Sequence, residues 1–232
     1  MRVHRVYVPD LQEGEHTLTG DEAKHLIKVL RVKEGTLLNA FDGKGLEANA
    51  EVLALDNYKL ILEIAKPELS QTEASLAITL IISLLKSDKL ATVVRQATEL
   101  GVRDIQPVIT DYSDVTVLSR NKRERLQRIA VEACKQSGRS FVPKVKDVVR
   151  LEDAELITPT LVAHPFDSNP LADYKKTDAL TVVTGPEGGF SPKDLDTLKA
   201  KGATTVSLGK RILRAETAPI ALIGALLIPN AL

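Results

Sequence analysis

The 232-residue chain has no tryptophan, a single cysteine and a single methionine, and aromatic residues make up only 3% of it. So few rings leave the core to Leu, Ile, Val and Ala, and they count against recognition of nucleic acid by extensive base stacking. Cys134 has no partner for an internal disulfide, which excludes a disulfide framework and fits a reducing compartment; it reads as a buried bystander thiol. Neither sign of charge is in excess, with 31 Lys and Arg against 31 Asp and Glu. No global basic field therefore announces nucleic acid, and an RNA partner requires local patches. The longest apolar run, Ala218 to Pro229, falls short of the roughly 20 residues that span a bilayer. The opening M-R-V-H-R-V-Y-V-P lacks an apolar h-region and reads as a strand. These absences predict a soluble, cytoplasmic protein, and an apolar fraction of 44% gives it an ordinary core.

Catalytic motifs are also missing. The four histidines, His4, His16, His25 and His164, show no metal-ligand spacing, so no metal is expected. There is no G-x-S-x-G elbow, no P-loop ending in Gly-Lys-Ser/Thr, and no G-x-G-x-x-G fingerprint.

What is present falls into two parts. Residues 1–68 predict a small β-rich unit: a strand at Arg5–Val8, a helix to Leu30 opened by a capping box at Thr19–Glu22, and strands Thr36–Phe41 and Leu46–Leu55 around the turn Asp42–Gly45. A further strand covers Lys59–Ala65. Several short strands and one helix suggest a small barrel. The polar, aperiodic stretch 66–73 reads as a linker. From 74 to 232 strands and helices alternate: strand 76–85, helix 88–100, strand 104–109, helix 121–137, strands 157–163 and 179–184, helix 192–201, strand 204–208 and helix 217–228. That alternation predicts an α/β domain with a mainly parallel sheet. Ser191-Pro192 caps one helix, and Thr217 or Ala218 before Pro219 repeats the arrangement. The last helix is apolar all round and must be buried on all sides, which a second subunit can provide.

Two loops follow strands of this domain, where ligands bind in α/β sheets: T-G-P-E-G-G-F (184–190) and L-G-K-R-I-L-R-A-E-T-A-P (208–219). The first alone is equally readable as a tight glycine turn. The second carries Arg211, Arg214, Glu216 and Thr217 within seven residues. His164-Pro165 follows another strand and can face the same pocket. Basic residues form two zones, Arg120 to Arg128 with Lys135, Arg139, Lys144 and Lys146, and Arg2, Arg5, Lys24, Lys28, Arg31 and Lys33. Either zone can be a solvated face; together they suit a phosphate backbone.

These loops resemble those of the bacterial 16S rRNA (uracil-N3)-methyltransferases of the SPOUT superfamily, the RsmE family. K-H-L-I-K-V-L-R-V-K-E-G (24–35), S-L-L-K-S-D-K-L (83–90), A-T-E-L-G-V (97–102) and E-A-C-K-Q-S-G-R-S (132–140) agree in order, so the resemblance covers almost the whole chain. It implies a PUA-like RNA-binding barrel at 1–68 and a SPOUT domain at 74–232 with a deep trefoil knot. It implies a homodimer, formed here through the C-terminal helix, that acts on the 30S subunit, with S-adenosylmethionine as cofactor and N3 of one uridine in the decoding region of 16S rRNA as methyl acceptor.

On that reading the cofactor lies against Leu161, His164 and Pro165, against Thr184, Gly185, Pro186, Glu187, Gly188 and Gly189, and against Leu208, Gly209, Ile212 and Leu213, with Thr217 and Ala218 beside it. Arg139 and Arg214 are candidates for holding phosphate or polarising the uracil oxygens. Glu216 either orients an arginine or receives the N3 proton, and Thr217 bonds the cofactor or caps the last helix. Arg2, Arg5, Lys24, Lys28, Arg31, Lys86, Arg123 and Lys135 are expected on RNA. Competing readings are a SPOUT enzyme acting on a ribose 2′-oxygen, an RNA-binding assembly factor without catalysis, and a structural dimerisation protein.

Overall fold

A computed structural model describes residues 3–165, 171 and 177–228. The chain divides into two compact units, 1–73 with 134–142, and 74–133 with 143–232. Residues 134–142, placed in the second domain by the expected boundary, thus pack with the first.

In the first unit a six-stranded sheet, counted among the described residues, holds β1 (His4–Tyr7), β2 (Gly14–Thr19), β3 (Leu37–Phe41), β4 (Leu46–Leu55), β5 (Lys59–Ile64) and β6 (Glu68–Leu69). Its order is β1-β3-β4-β5-β2, with β6 on β4; β1 and β3 run parallel, the other pairs antiparallel. The alternation Leu46-Glu-Ala-Asn-Ala-Glu-Val is realised: Ala48, Ala50 and Val52 point into the core while Asn49 and Glu51 face solvent. Leu38, Leu60, Leu62 and Ile64 meet them there, and each such buried side chain contributes about 1.5–3 kcal/mol. The turn between β3 and β4 is tied by Asp42, whose Oδ1 accepts from the amides of Lys44 (2.7 Å) and Leu46 (2.9 Å). Such Asx bonding is the reason Asp suits a turn.

One helix start differs from expectation. Between β2 and β3 lie α1 (Gly20–Lys24) and a π-helical turn (His25–Val29). Thr19 is the N-cap but makes no side-chain cap bond, so no capping box forms. Glu22, the would-be partner, accepts instead from the Tyr7 amide at 3.2 Å and pairs with Lys135. A tertiary ion pair outcompetes the local cap.

The second unit holds β7 (Ala77–Ser83), α2 (Lys89–Leu100), β8 (Asp104–Ile109), most of α3 (Arg120–Ser137), β9 (Lys144–Val145), β10 (Val149–Arg150), β11 (Thr160–Ala163), β12 (Ala179–Thr184), α4 (Pro192–Ala200), β13 (Ala203–Val206) and α5 (Thr217–Leu227). Its sheet runs β10-β8-β7-β12-β11-β13, with β9 on β8, and every pair is parallel. The α/β expectation with a parallel sheet therefore holds. Central strands β7 and β12 are buried along nearly their whole length, as a parallel sheet covered on both faces requires. β11 starts later than expected because Pro159, which has no N–H to donate to a ladder, precedes it.

Helix α4 carries the expected cap. Ser191 Oγ accepts from the Asp194 amide (3.0 Å) and Asp194 Oδ2 accepts from the Ser191 amide (2.9 Å). Helix α5 departs from expectation at its start. Its N-cap is Glu216, so Thr217 is the first helical residue rather than the cap. Within the single chain, Leu222, Ile223, Leu226 and Leu227 face the sheet and α2, while Ala221, Ala225 and Ile228 are exposed. Among the described residues no helix is long and apolar enough to cross a membrane.

Candidate active site

Strands β12, β11 and β13 are neighbours and parallel, so their C-terminal ends reach one edge of the sheet together. The segments leaving them, 163–165, 184–190 and 208–218, line a cavity of about 490 Å³. This is the position at which open α/β sheets take ligands.

Loop 184–190 is shaped by what its glycines touch. A Cβ on Gly185 would stand 3.2 Å from the Phe190 ring, and one on Gly188 3.2 Å from Tyr112 Cβ. The Gly189 amide donates to the Pro186 carbonyl at 3.0 Å, closing the turn at φ +74. At the root of the loop, Thr184 Oγ1 is buried without a hydrogen-bond partner among the described residues. A buried hydroxyl without a partner costs free energy, and here it belongs to a residue of the cavity wall.

Three charged side chains join the walls. Lys89 Nζ lies 3.0 Å from Glu187 Oε1 and 3.5 Å from Glu216 Oε2. Glu187 Oε1 also accepts from the Lys86 amide at 3.3 Å. One ammonium thus clips the start of α2, the glycine loop and the C-terminal loop together. The hydrogen bond that Lys89 donates to Glu187, together with the charges of Glu187 and Glu216, outweighs desolvation and raises Lys89 above its ordinary value. Partial burial pushes the Glu187 carboxyl up, but the bonds from Lys89 and from the Glu187 and Lys86 amides outweigh it and bring the carboxyl below its usual range. Lys89 is therefore a cation, not a base, at neutral pH. Glu216 Oε2 is buried and lacks a hydrogen-bond partner among the described residues, Lys89 being its ionic neighbour. Arg211 and Arg214 also line the cavity and are exposed.

Of the residues expected to hold a cofactor, Leu161 and Thr217 alone do not line this cavity. Leu161 lies fully buried within β11, and Thr217 begins α5. Arg214 and Glu216 line it; Arg139 does not. Arg139 is buried in the first unit, where its guanidinium donates to Glu73 at 2.6 Å from Nη2 and 3.2 Å from Nε.

Sequence reasoning missed Lys89 and Phe190 as wall residues. A lysine at a helix start reads as a solvated charge, yet Lys89 sits at the first position of α2, where the helix dipole disfavours a cation. That mismatch was the available signal.

The residues expected on RNA divide. Arg2 lies outside the described residues. Arg5 is engaged within the first unit, bonding Asn39, Glu47, Ser140 and the Arg139 carbonyl and lying 4.7 Å above the Phe41 ring. Lys135 is held by Glu22. In the second unit, Arg123 pairs with Asp147 (2.9 Å) and Lys86 with Asp114 (2.8 Å). Lys24, Lys28 and Arg31 are exposed on and just after the helical turn between β2 and β3.

Comparison with known proteins matches two models to successive parts of the chain. A model described as an RNA methyltransferase domain matches residues 72–227, and one described as an RNA methyltransferase PUA domain matches 18–65. Two relatives are named ribosomal RNA small subunit methyltransferase E. The one from Synechocystis is 35% identical over 93% of this chain and 74% of its own length, and that from Bacillus subtilis 30% identical over 90% and 88%. Among solved structures, a Legionella pneumophila protein in complex with the cofactor SAM is 30% identical at a TM-score of 0.91, over 97% of each chain. A ribosomal RNA small subunit methyltransferase E from Neisseria gonorrhoeae bound to S-adenosyl methionine is 32% identical at 0.89, over 97% of this chain and 96% of its own.

Proposed function

Because this chain belongs to the ribosomal RNA small subunit methyltransferase E family of RNA methyltransferases, we propose that it methylates N3 of one uridine in the decoding region of 16S rRNA, in the cytoplasm, using S-adenosylmethionine. The observation that carries this reading is the cavity at the ends of β12, β11 and β13, in a chain whose relatives at 30% and 32% identity were solved with that cofactor.

The cavity residues fit the cofactor. Glycine turns at 185–189 and 209 let a ligand approach backbone amides, and the buried Thr184 hydroxyl supplies an unused polar atom. Ala163 to Pro165, Thr184 to Gly189 and Leu208 to Leu213 are the segments assigned to hold it. When bound, S-adenosylmethionine supplies an already activated methyl group, so the protein's task is alignment.

Uridine N3 carries a proton and is a poor nucleophile until that proton leaves. Glu187 is occupied by Lys89 and the Lys86 amide, whereas Glu216 retains acceptor capacity. Glu216 is therefore assigned the N3 proton. Arg214 and Lys89, which both line the cavity, supply positive charge for the uracil oxygens as negative charge develops on the ring. N3 lies on the Watson–Crick edge, so the base reaches the pocket unpaired or flipped. The Glu216→Gln variant is expected to bind S-adenosylmethionine as wild type does by calorimetry and to lose methyl transfer; full transfer by that variant contradicts the assignment.

Finer features follow from the family. The six strands of the first unit are read as a PUA-like barrel that binds RNA through Lys24, Lys28 and Arg31. The position of β11 between β12 and β13 supports a trefoil knot formed by loops 184–190 and 208–217. The apolar face of Ile220, Ala221, Gly224, Ala225 and Ile228, with Leu100 beside it, supports a homodimer through α5.

A further inference from the structure

An aromatic side chain stands beside the cavity in a chain that has few of them. Among the described residues, Tyr58 and Tyr112 alone expose about half or more of an aromatic residue, and Tyr112, at 51%, belongs to the unit that holds the cavity. Its Cβ lies 3.2 Å from the point a Cβ on Gly188 would occupy, so it sits against the glycine loop but is not among the residues that line the cavity.

The turn that carries the ring is fixed from several sides. The Thr110 amide donates to Ser113 Oγ (3.0 Å), the Ser113 amide donates to the Thr110 carbonyl (3.1 Å), and the two hydroxyls meet at 2.9 Å. Asp111 Oδ2 accepts from Ser191 Oγ at 2.8 Å, and the Asp111 amide donates to Asp194 Oδ2 at 3.3 Å. Ser191 is the cap of α4 and directly follows Phe190, so the turn is bonded to the element that anchors the glycine loop. The Tyr112 hydroxyl has no partner among the described residues. Tyr112 thus sits on a turn whose backbone is bonded at several points, with half of the residue still exposed. An exposed aromatic side chain on an already ordered turn suits stacking on a nucleobase, because little further ordering of the chain is needed.

We infer that Tyr112 is a stacking platform for the substrate base that flanks the methylated uridine. The inference rests on the proposed RNA methyltransferase reading and adds a substrate-contacting residue to it. The ring lies outside the cavity wall, and a neighbour of the inserted base passes there when the target nucleotide leaves its stack.

The test uses the full-length protein and 30S subunits lacking the modification. Subunit binding and methyl transfer are measured in parallel for wild type, Tyr112→Ala and Tyr112→Phe. Tyr112→Ala is expected to lose about 5- to 150-fold in subunit affinity and in kcat/KM. Its cofactor affinity, melting temperature and oligomeric state should match wild type, and Tyr112→Phe should behave as wild type. A Tyr112→Ala protein with unchanged subunit affinity overturns the inference. So does a Tyr112→Phe protein as impaired as the alanine variant, or a loss that follows weakened cofactor binding or subunit dissociation. Wild type that binds subunits without methylating them refutes the functional reading, while the affinity series still decides Tyr112. Wild type that does not bind subunits refutes both.

Discussion

Lys89 is the residue on which the candidate site turns, because it touches two carboxylates on two different loops. Those ion pairs are partly exposed and solvent-screened, so they add little to stability. Their value lies in holding geometry. Lys89→Met should therefore keep a near-native melting temperature and lose methyl transfer by about tenfold or more; a variant of full activity removes Lys89 from the site. The same pair sets a pH window. Glu187 has a lowered folded-state value, so its stabilisation is present above the ordinary glutamate value of about 4.3 and is lost as pH falls through the lowered one. Lys89 has a raised value, so its contribution is full below about 10.4 and is lost as pH rises through the raised one. Wild type and Glu187→Gln should differ slightly in melting temperature at neutral pH, and the difference should shrink as pH falls through the lowered Glu187 value; a difference independent of pH contradicts the pairing. At this scale the sequence was half legible. Gly185, Gly188, Arg214 and Glu216 stand out as an unusual loop chemistry, and they do meet. Arg139 and Arg5 looked alike as basic residues, and only tertiary partners such as Glu73 and Glu47 distinguish a guanidinium serving the fold from one facing solvent. Cys134 is buried as expected, and burial pushes its thiol up to about 12.

At the scale of elements, α4 is the anchor. Its cap Ser191 closes a reciprocal box with Asp194 and also holds Asp111, fixing the turn on which Tyr112 sits. Ser191→Ala should cost about 1 kcal/mol for the cap, read as a lower denaturant midpoint with an unchanged slope. An unchanged midpoint means that the box adds nothing. This helix start was readable because Ser-Pro-x-Asp satisfies orphan amides locally. The start at Thr19 was also legible, but its capping box does not form although it has the same kind of signature. Glu22 has a stronger partner in Lys135, which lies far away in sequence. The π-helical turn at His25–Val29 likewise has no local signature, since its pattern of apolar residues is that of an ordinary helix. Strand types and most boundaries in the second unit were legible because buried parallel strands are short apolar runs between helices.

For the whole molecule, the open question is what covers α5. Its outer face is small and apolar, and water on Ala221, Ala225 and Ile228 gains the protein nothing. Ala221→Glu would place a charge where the proposed twofold partner would pack, and burying it unpaired is costly. Sedimentation should show wild type as a dimer and the variant as a monomer with methyl transfer reduced; a dimeric variant contradicts the proposed interface. Chain alternation predicted the parallel sheet but not its order, because the placement of β11 between β12 and β13 is decided by long-range packing and leaves no periodic trace. For the same reason nothing in residues 134–142 signalled that they join the first unit.

The central claim is tested most directly by methyl transfer from labelled S-adenosylmethionine to 30S subunits lacking the modification, with the labelled nucleoside then identified. N3-methyluridine at a single 16S position is the predicted result. Label on a ribose 2′-oxygen, or no label despite measurable cofactor binding, contradicts it.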